Sequence, residues 1–189
     1  MSSSAEKIEN ITFLFRKIMD EIGVAWDDST AKTPQRVAEM YVNELFKGLI
    51  DENFPAITTV ENIVRYDHMV IIKDIKVHSV CEHHFVPFLG LCHIAYLPDN
   101  RIMGLSKFNR VVDHYSRRPQ IQERLTHNIY GKLSEILQTP NVAVYMDCEH
   151  QCVKLRGIGD QGSHTITNKL GGRFMEPDMR AEFMSICRQ

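Results

Sequence analysis

Apolar residues recur at three- and four-residue steps through the first fifty positions. Ile8, Ile11, Leu14, Phe15, Ile18, Met19 and Ile22 form one stripe, and Gly23 closes it. That spacing predicts an amphipathic helix. A second helix is predicted to open at Thr33-Pro34, with Thr as N-cap and Pro in the first helical position. Val37, Met40, Tyr41, Leu45 and Phe46 give its apolar face, and Gly48 stops it. From Ile57 the texture changes. Val60, Ile63, Val64, Val70, Ile71, Ile72, Ile75 and Val77 are β-branched and partly alternating, a strand pattern.

A second strand region spans Gly90 to Leu97 and is closed by Pro98-Asp99-Asn100. Ser106 suits the N-cap of a helix reaching about Tyr115, and Pro119 the start of another. Ile121, Leu125, Ile129, Leu133, Ile136 and Leu137 line one face of the latter, and Thr139-Pro140-Asn141 breaks it. Val142 to Asp147 and Cys152 to Ile158 read as two more strands, Gly171-Gly172 as a turn, and Glu176 to Ile186 as a closing helix. Two strand regions, two helices and two strands predict an α+β fold, an antiparallel sheet with two helices on one face. Residues 1–56 are expected to form an N-terminal helical extension and 57–189 the main domain.

Composition narrows the function. The chain has 189 residues, 43% hydrophobic and 24% charged, with a net charge of −2. Disorder is excluded, and bulk charge drives the chain neither to nucleic acid nor to a membrane. No apolar run reaches the ~20 residues of a spanning helix, and the start has no signal-like apolar core. Five cysteines cannot all pair internally. A reducing, cytoplasmic compartment is expected, where Cys packs, binds metal or catalyses.

Two patches carry chemistry. Cys81-Glu82-His83-His84 puts Cys and His three positions apart in a turn. Cys148-Glu149-His150-Gln151-Cys152 places residues 148, 150 and 152 on one face if it is a strand. Thiolate and imidazole suit zinc; four protein ligands make a structural site, three plus water a catalytic one. More than four candidates are present, so counting leaves the set open. Cys92 reads as a packing residue and Cys187 as a helix-face or tail residue.

A polar set suits a nucleotide. Ser106, Lys107 and Arg110 sit at a predicted helix start, a natural place for phosphate. Lys154 and Arg156 would share the face of Cys152 by strand alternation. Glu123, beside Gln122, offers two acceptors that match the adjacent N–H donors of a guanine edge. No Walker or dinucleotide glycine loop is present.

Cys81-Glu82-His83-His84-Phe85-Val86-Pro87, Gly104 to Arg110, Arg118 to Leu125 and His150 to Gly157 occur in the order found in GTP cyclohydrolase I, and together they resemble that family. Thr33 to Ala38 and Leu170-Gly171-Gly172 look like it too. The resemblance covers roughly residues 30 to 185. It implies the tunnelling fold and conversion of GTP to 7,8-dihydroneopterin triphosphate and formate, the first step of pterin or folate biosynthesis. It implies Zn2+ held by Cys81, His84 and Cys152, with water in the fourth position, and His83, His150 and Ser106 in proton transfer. Gln122 and Glu123 would hold guanine. Lys107, Arg110 and Arg156 would face the ribose and triphosphate, and Arg36 would reach in from a neighbouring subunit of a homodecamer. Cys148 departs from the expected small or apolar residue and reads as a spectator thiol. Two other readings compete: a relative on the same fold, such as a pterin synthase or nitrile reductase, and a structural zinc protein without turnover.

Overall fold

The structure is a computed structural model and describes residues 3–188; the outermost residues of the two expected segments, 1–2 and 189, lie outside it. Helix α1 (Ser4–Glu21) opens on a capping box, Ser3 and Glu6 satisfying each other's backbone N–H groups. Helix α2 (Thr33–Met40) has Lys32, not Thr33, as N-cap, because the turn Thr30–Thr33 already carries the helix-like bonds. It widens into a π-turn (Tyr41–Leu45) and ends in a 3-10 turn (Lys47–Leu49). Gly48 stops it for a tertiary reason. Its N–H donates to the Arg117 carbonyl at 2.9 Å, and a Cβ there would run into the His114 and Arg117 carbonyls.

Short strand β1 (Thr59–Glu61) pairs with β4 (Arg101–Met103). The main sheet is built from β2 (Val70–Cys81), β3 (Pro87–Tyr96), β5 (Pro119–Gln120), β6 (Val142–His150) and β7 (Thr165–Leu170). Its order is β5-β2-β3-β6-β7, antiparallel except for the β5–β2 bridge. Helices α3 (Leu105–Ser116) and α4 (Gln122–Leu137) fill one face. Phe108, Val111, Leu125, Ile129 and Leu133 bury there against Val77, Phe88, Ile94 and Val144. Helix α6 (Pro177–Cys187) covers part of the other face, around Phe174 and Phe183. The ββααββ order is that expected from the chain.

Four local expectations are corrected. Ser106 lies inside α3, whose N-cap is Gly104. Pro119 begins β5, not a helix; α4 starts at Gln122. Residues 152–158 are not a strand. Gln151–Lys154 form one helical turn, α5, and the place beside β6 is taken by β7, which pairs Cys148–Ala143 with Thr165–Leu170. Lys154 and Arg156 therefore do not share a strand face with Cys152.

Candidate metal centre and its surroundings

The site sits where β2 ends. The chain turns through Cys81–Phe85 and returns as β3; Phe85 N–H closes the turn on the Cys81 carbonyl at 2.9 Å, and Phe85 takes a left-handed φ of 54°. The turn is tied to α4. Glu82 N–H donates to the Gln120 carbonyl at 3.0 Å, and Arg124 pairs with the Glu82 carboxylate. Gln120 and Arg124 thus hold the turn from outside. Sequence reading did not find them, because a two-residue parallel bridge leaves no periodic signal.

The two distant cysteine patches meet. Ligand atoms of Cys81, His84 and Cys152 lie within 4.8 Å of one another. Cys81 is buried, Cys152 half-buried and His84 exposed. Two sulfurs and an imidazole nitrogen are a zinc-type donor set. Burial, and then the hydrogen bond to Cys81 and its charge, raises the Cys152 thiol, while Arg156 pulls it down. Two thiolates this close need a cation, so the donor chemistry fits a metal. Cys148 is not in this group. It is buried in the helix-side core opposite Gly90, and burial pushes its thiol up to about 12.

His150 ends β6 beside the group. Its ring stacks on Phe88 at 4.6 Å and 11°, and its Nε2 lies 2.8 Å from Gln122 Oε1. Burial lowers its pKa, and the nearby Glu123 carboxylate opposes this. Glu123 is exposed in the first turn of α4, next to Gln122, which is buried. The Gln122 side chain bonds only inward, to strands β6 and β7 and to His150. His83 is exposed, with Nδ1 3.8 Å from Cys81 Sγ. Arg156 Nη1 lies 2.9 Å from His84 Nε2.

Ser106, Lys107 and Arg110 are elsewhere. Strand β3 runs away from the metal turn, from Pro87 opposite Val80 to Tyr96 opposite Val70. Helix α3 follows β4 at that far end and returns; its C-terminus leads into β5 beside Cys81. Ser106 is therefore ~15 Å up the helix axis from Ser116. Lys107 Nζ donates to the Ala56 carbonyl at 3.3 Å. Arg110 lines a separate cleft with Asn43, Asn53, Pro55 and Asp113. Arg36 is exposed on α2.

The family model for GTP cyclohydrolase I matches residues 11–188. The chain is 48% identical over 181 residues to "GTP cyclohydrolase 1" of Aeromonas salmonicida, covering 95% of this chain and 83% of that protein. With its namesake in Erwinia tasmaniensis it shares 52% over 163 residues, 86% and 74% of the two chains. With that of Mannheimia succiniciproducens it shares 46% over 189 residues, 99% and 87%. A solved archaeosine synthase QueF-like structure in the apo form is similar at 19% identity and a TM-score of 0.47, over 55% of this chain and 93% of that one, too loosely to add to the family match.

Proposed function

The chain belongs to the GTP cyclohydrolase I family, and from that premise we propose that it converts GTP to 7,8-dihydroneopterin triphosphate and formate. The observation that carries this is the convergence of Cys81, His84 and Cys152 beside His150 and Glu123. In this reading Zn2+ is held by Cys81, His84 and Cys152. When bound, zinc supplies an acidified water at neutral pH.

The remaining roles belong to the chain. Glu123 accepts from the guanine N1 and N2 edge. His150 gives a proton to N7, which makes C8 electrophilic, and a ring lowered by burial gives its proton readily. His83, exposed next to the thiolate, serves proton transfers after ring opening. Ser106 serves near the ribose. Lys107, Arg110, Arg156 and Arg36 meet the triphosphate, whose charge calls for several cations.

We also propose a homo-oligomer, a decamer by family resemblance, and the placement of the two half-sites supports it. Lys107 and Arg110 stand up the helix from the metal turn of their own chain, so a neighbour's α3 would complete each site. Apolar Leu14 and Ile18 exposed on α1, Ile22 just after it, and the outer edges of β7 and most of β2, unpaired among the described residues, are surfaces for such neighbours. We also propose the division into an extension, residues 1–56, and a catalytic domain, 57–189. A cytoplasmic location accords with five free thiols; no helix among the described residues is long and apolar enough to cross a membrane.

The test is direct. Zinc-loaded protein incubated with GTP is expected to release formate and, after oxidation, a fluorescent pterin. Neither product from the intact chain would overturn the reading.

A further inference from the structure

A glutamine in the first turn of a helix ordinarily reaches water, yet Gln122 is 1% exposed. Its side-chain amide can stand only one way round. Nε2 donates to the Thr165 carbonyl at 2.8 Å and lies 3.3 Å from the Met146 carbonyl. Carbonyl oxygens have no proton to give, so a flipped amide would set Oε1 against two acceptors. The hydroxyls agree. Thr126 Oγ1 donates to the Gln122 carbonyl at 2.8 Å, so Thr167 donates to Thr126 at 2.7 Å. That leaves the Thr167 oxygen to accept from Gln122 Nε2 at 3.1 Å.

Oε1 therefore faces His150 Nε2, 2.8 Å away. An amide oxygen only accepts, so this ring nitrogen must carry a hydrogen. In a neutral imidazole the lone pair then resides on Nδ1. Phe88, stacked on the ring, holds its plane. We propose that Gln122 is a positioning residue that keeps His150 in its Nε2–H tautomer and makes Nδ1 the nitrogen that exchanges a proton with substrate. This rests on the role of His150 proposed above. The proton balance is simple. The imidazolium has both nitrogens protonated, Nδ1–H passes its proton to the purine N7, and the neutral Nε2–H ring remains. The bond to Gln122 stands before and after, so the amide need not reorganise. Gln122 then acts through His150 and does not touch guanine with its side chain.

Two measurements test this. The first is magic-angle-spinning NMR of zinc-loaded protein labelled with 15N-histidine, with His150 assigned by its loss in His150→Gln. The neutral ring is expected to show Nε2–H; an Nδ1–H ring would overturn the proposal. The second is kinetics of Gln122→Met and Gln122→Glu. Gln122→Met should lose about 10²-fold in kcat, the lower range of general acid–base catalysis, with bound zinc and the GTP dissociation constant unchanged. Gln122→Glu, as the protonated acid that the Thr165 and Met146 carbonyls demand, keeps an acceptor toward Nε2 and should retain more kcat. Weaker GTP binding at full kcat would make Gln122 a substrate contact, and unchanged kinetics would remove its role; either overturns the proposal. If wild-type protein does not turn over GTP, the activity reading fails, while the ring tautomer, read without substrate, still decides this one. It also decides if the variants do not fold.

Discussion

Cys81 and Cys152 are 71 positions apart in the chain, yet with His84 they bring three ligand atoms within 4.8 Å. Residue by residue, the surroundings separate the candidate ligands from the buried thiols. Cys92 and Cys148 share the oily side of the sheet, where burial keeps them neutral thiols. Cys152 stands at the half-exposed start of β6's exit, near Arg156. His84 and His150 differ in the same way: one is exposed beside the thiols, the other half-buried against Phe88 and Gln122. The expected consequence is a split phenotype. Cys152→Ala should lose stoichiometric zinc as well as activity, by metal analysis and the GTP assay. His150→Ala should keep its zinc and lose about 10²-fold or more in kcat. A His150 variant that sheds metal would reassign that residue as a ligand.

At the scale of elements, the site depends on how helices are docked more than on the strands themselves. The start of α4 is joined to the metal turn through β5 and Arg124, so Glu123 and Gln122 arrive beside His150. The extension is docked by Gly48 against the C-terminal end of α3. A methyl group there meets backbone carbonyls, which cannot rotate away as a side chain would. Gly48→Ala should cost about 1–3 kcal/mol as overpacking, and lower Tm by roughly 2–10 °C for a chain of this size. Thermal unfolding checks it; an unchanged Tm would mean that the extension shifts freely on α3. The presence of the helices and the strand run of β3 were legible from residue periodicity, but the starts of α2, α3 and α4 were not. The α5 turn was not: Cys152 to Ile158 alternates like a strand, but β7 has longer pairing with β6 and claims the edge.

For the whole molecule, the distance between half-sites predicts complementation. His150→Ala and Arg110→Ala chains, each weak alone, should regain roughly a quarter of wild-type activity when mixed in one random assembly. No recovery would mean that each chain builds its site unaided. Stability should also have a bounded pH range. Burial lowers His93 and His114 below their ordinary 6.5. Below that value the unfolded chain binds protons that the folded one refuses, so stability falls as pH drops through 6.5. Buried Cys92, Cys148 and Cys187 are raised above their ordinary 9.0. Above 9.0 the unfolded thiols ionise first, so stability falls again. Melting curves across pH should show a maximum between those limits.

Nine histidines and five cysteines in an ordinary composition pointed, with their spacing, to two metal-type patches, and the candidate set Cys81, His84 and Cys152 came from the resemblance to one family. Spacing works there because Cys81 and His84 meet within one turn, and because the ordered set of motifs resembles one family. Periodicity likewise indicated the ββααββ order, since burial on one face imposes its own repeat, but it put the last strand at 152–158 instead of Thr165–Leu170. What only the tertiary structure decided is which way each group faces. Cys148 entered the core because Gly90 leaves it room. Gln122 turned inward because β6 and β7 present carbonyls that need a donor. Ser106, Lys107 and Arg110 came to lie up the helix from the Cys81–Phe85 turn because α3 returns from the far end of the sheet. Those outcomes depend on partners far away in the chain, which no local pattern encodes.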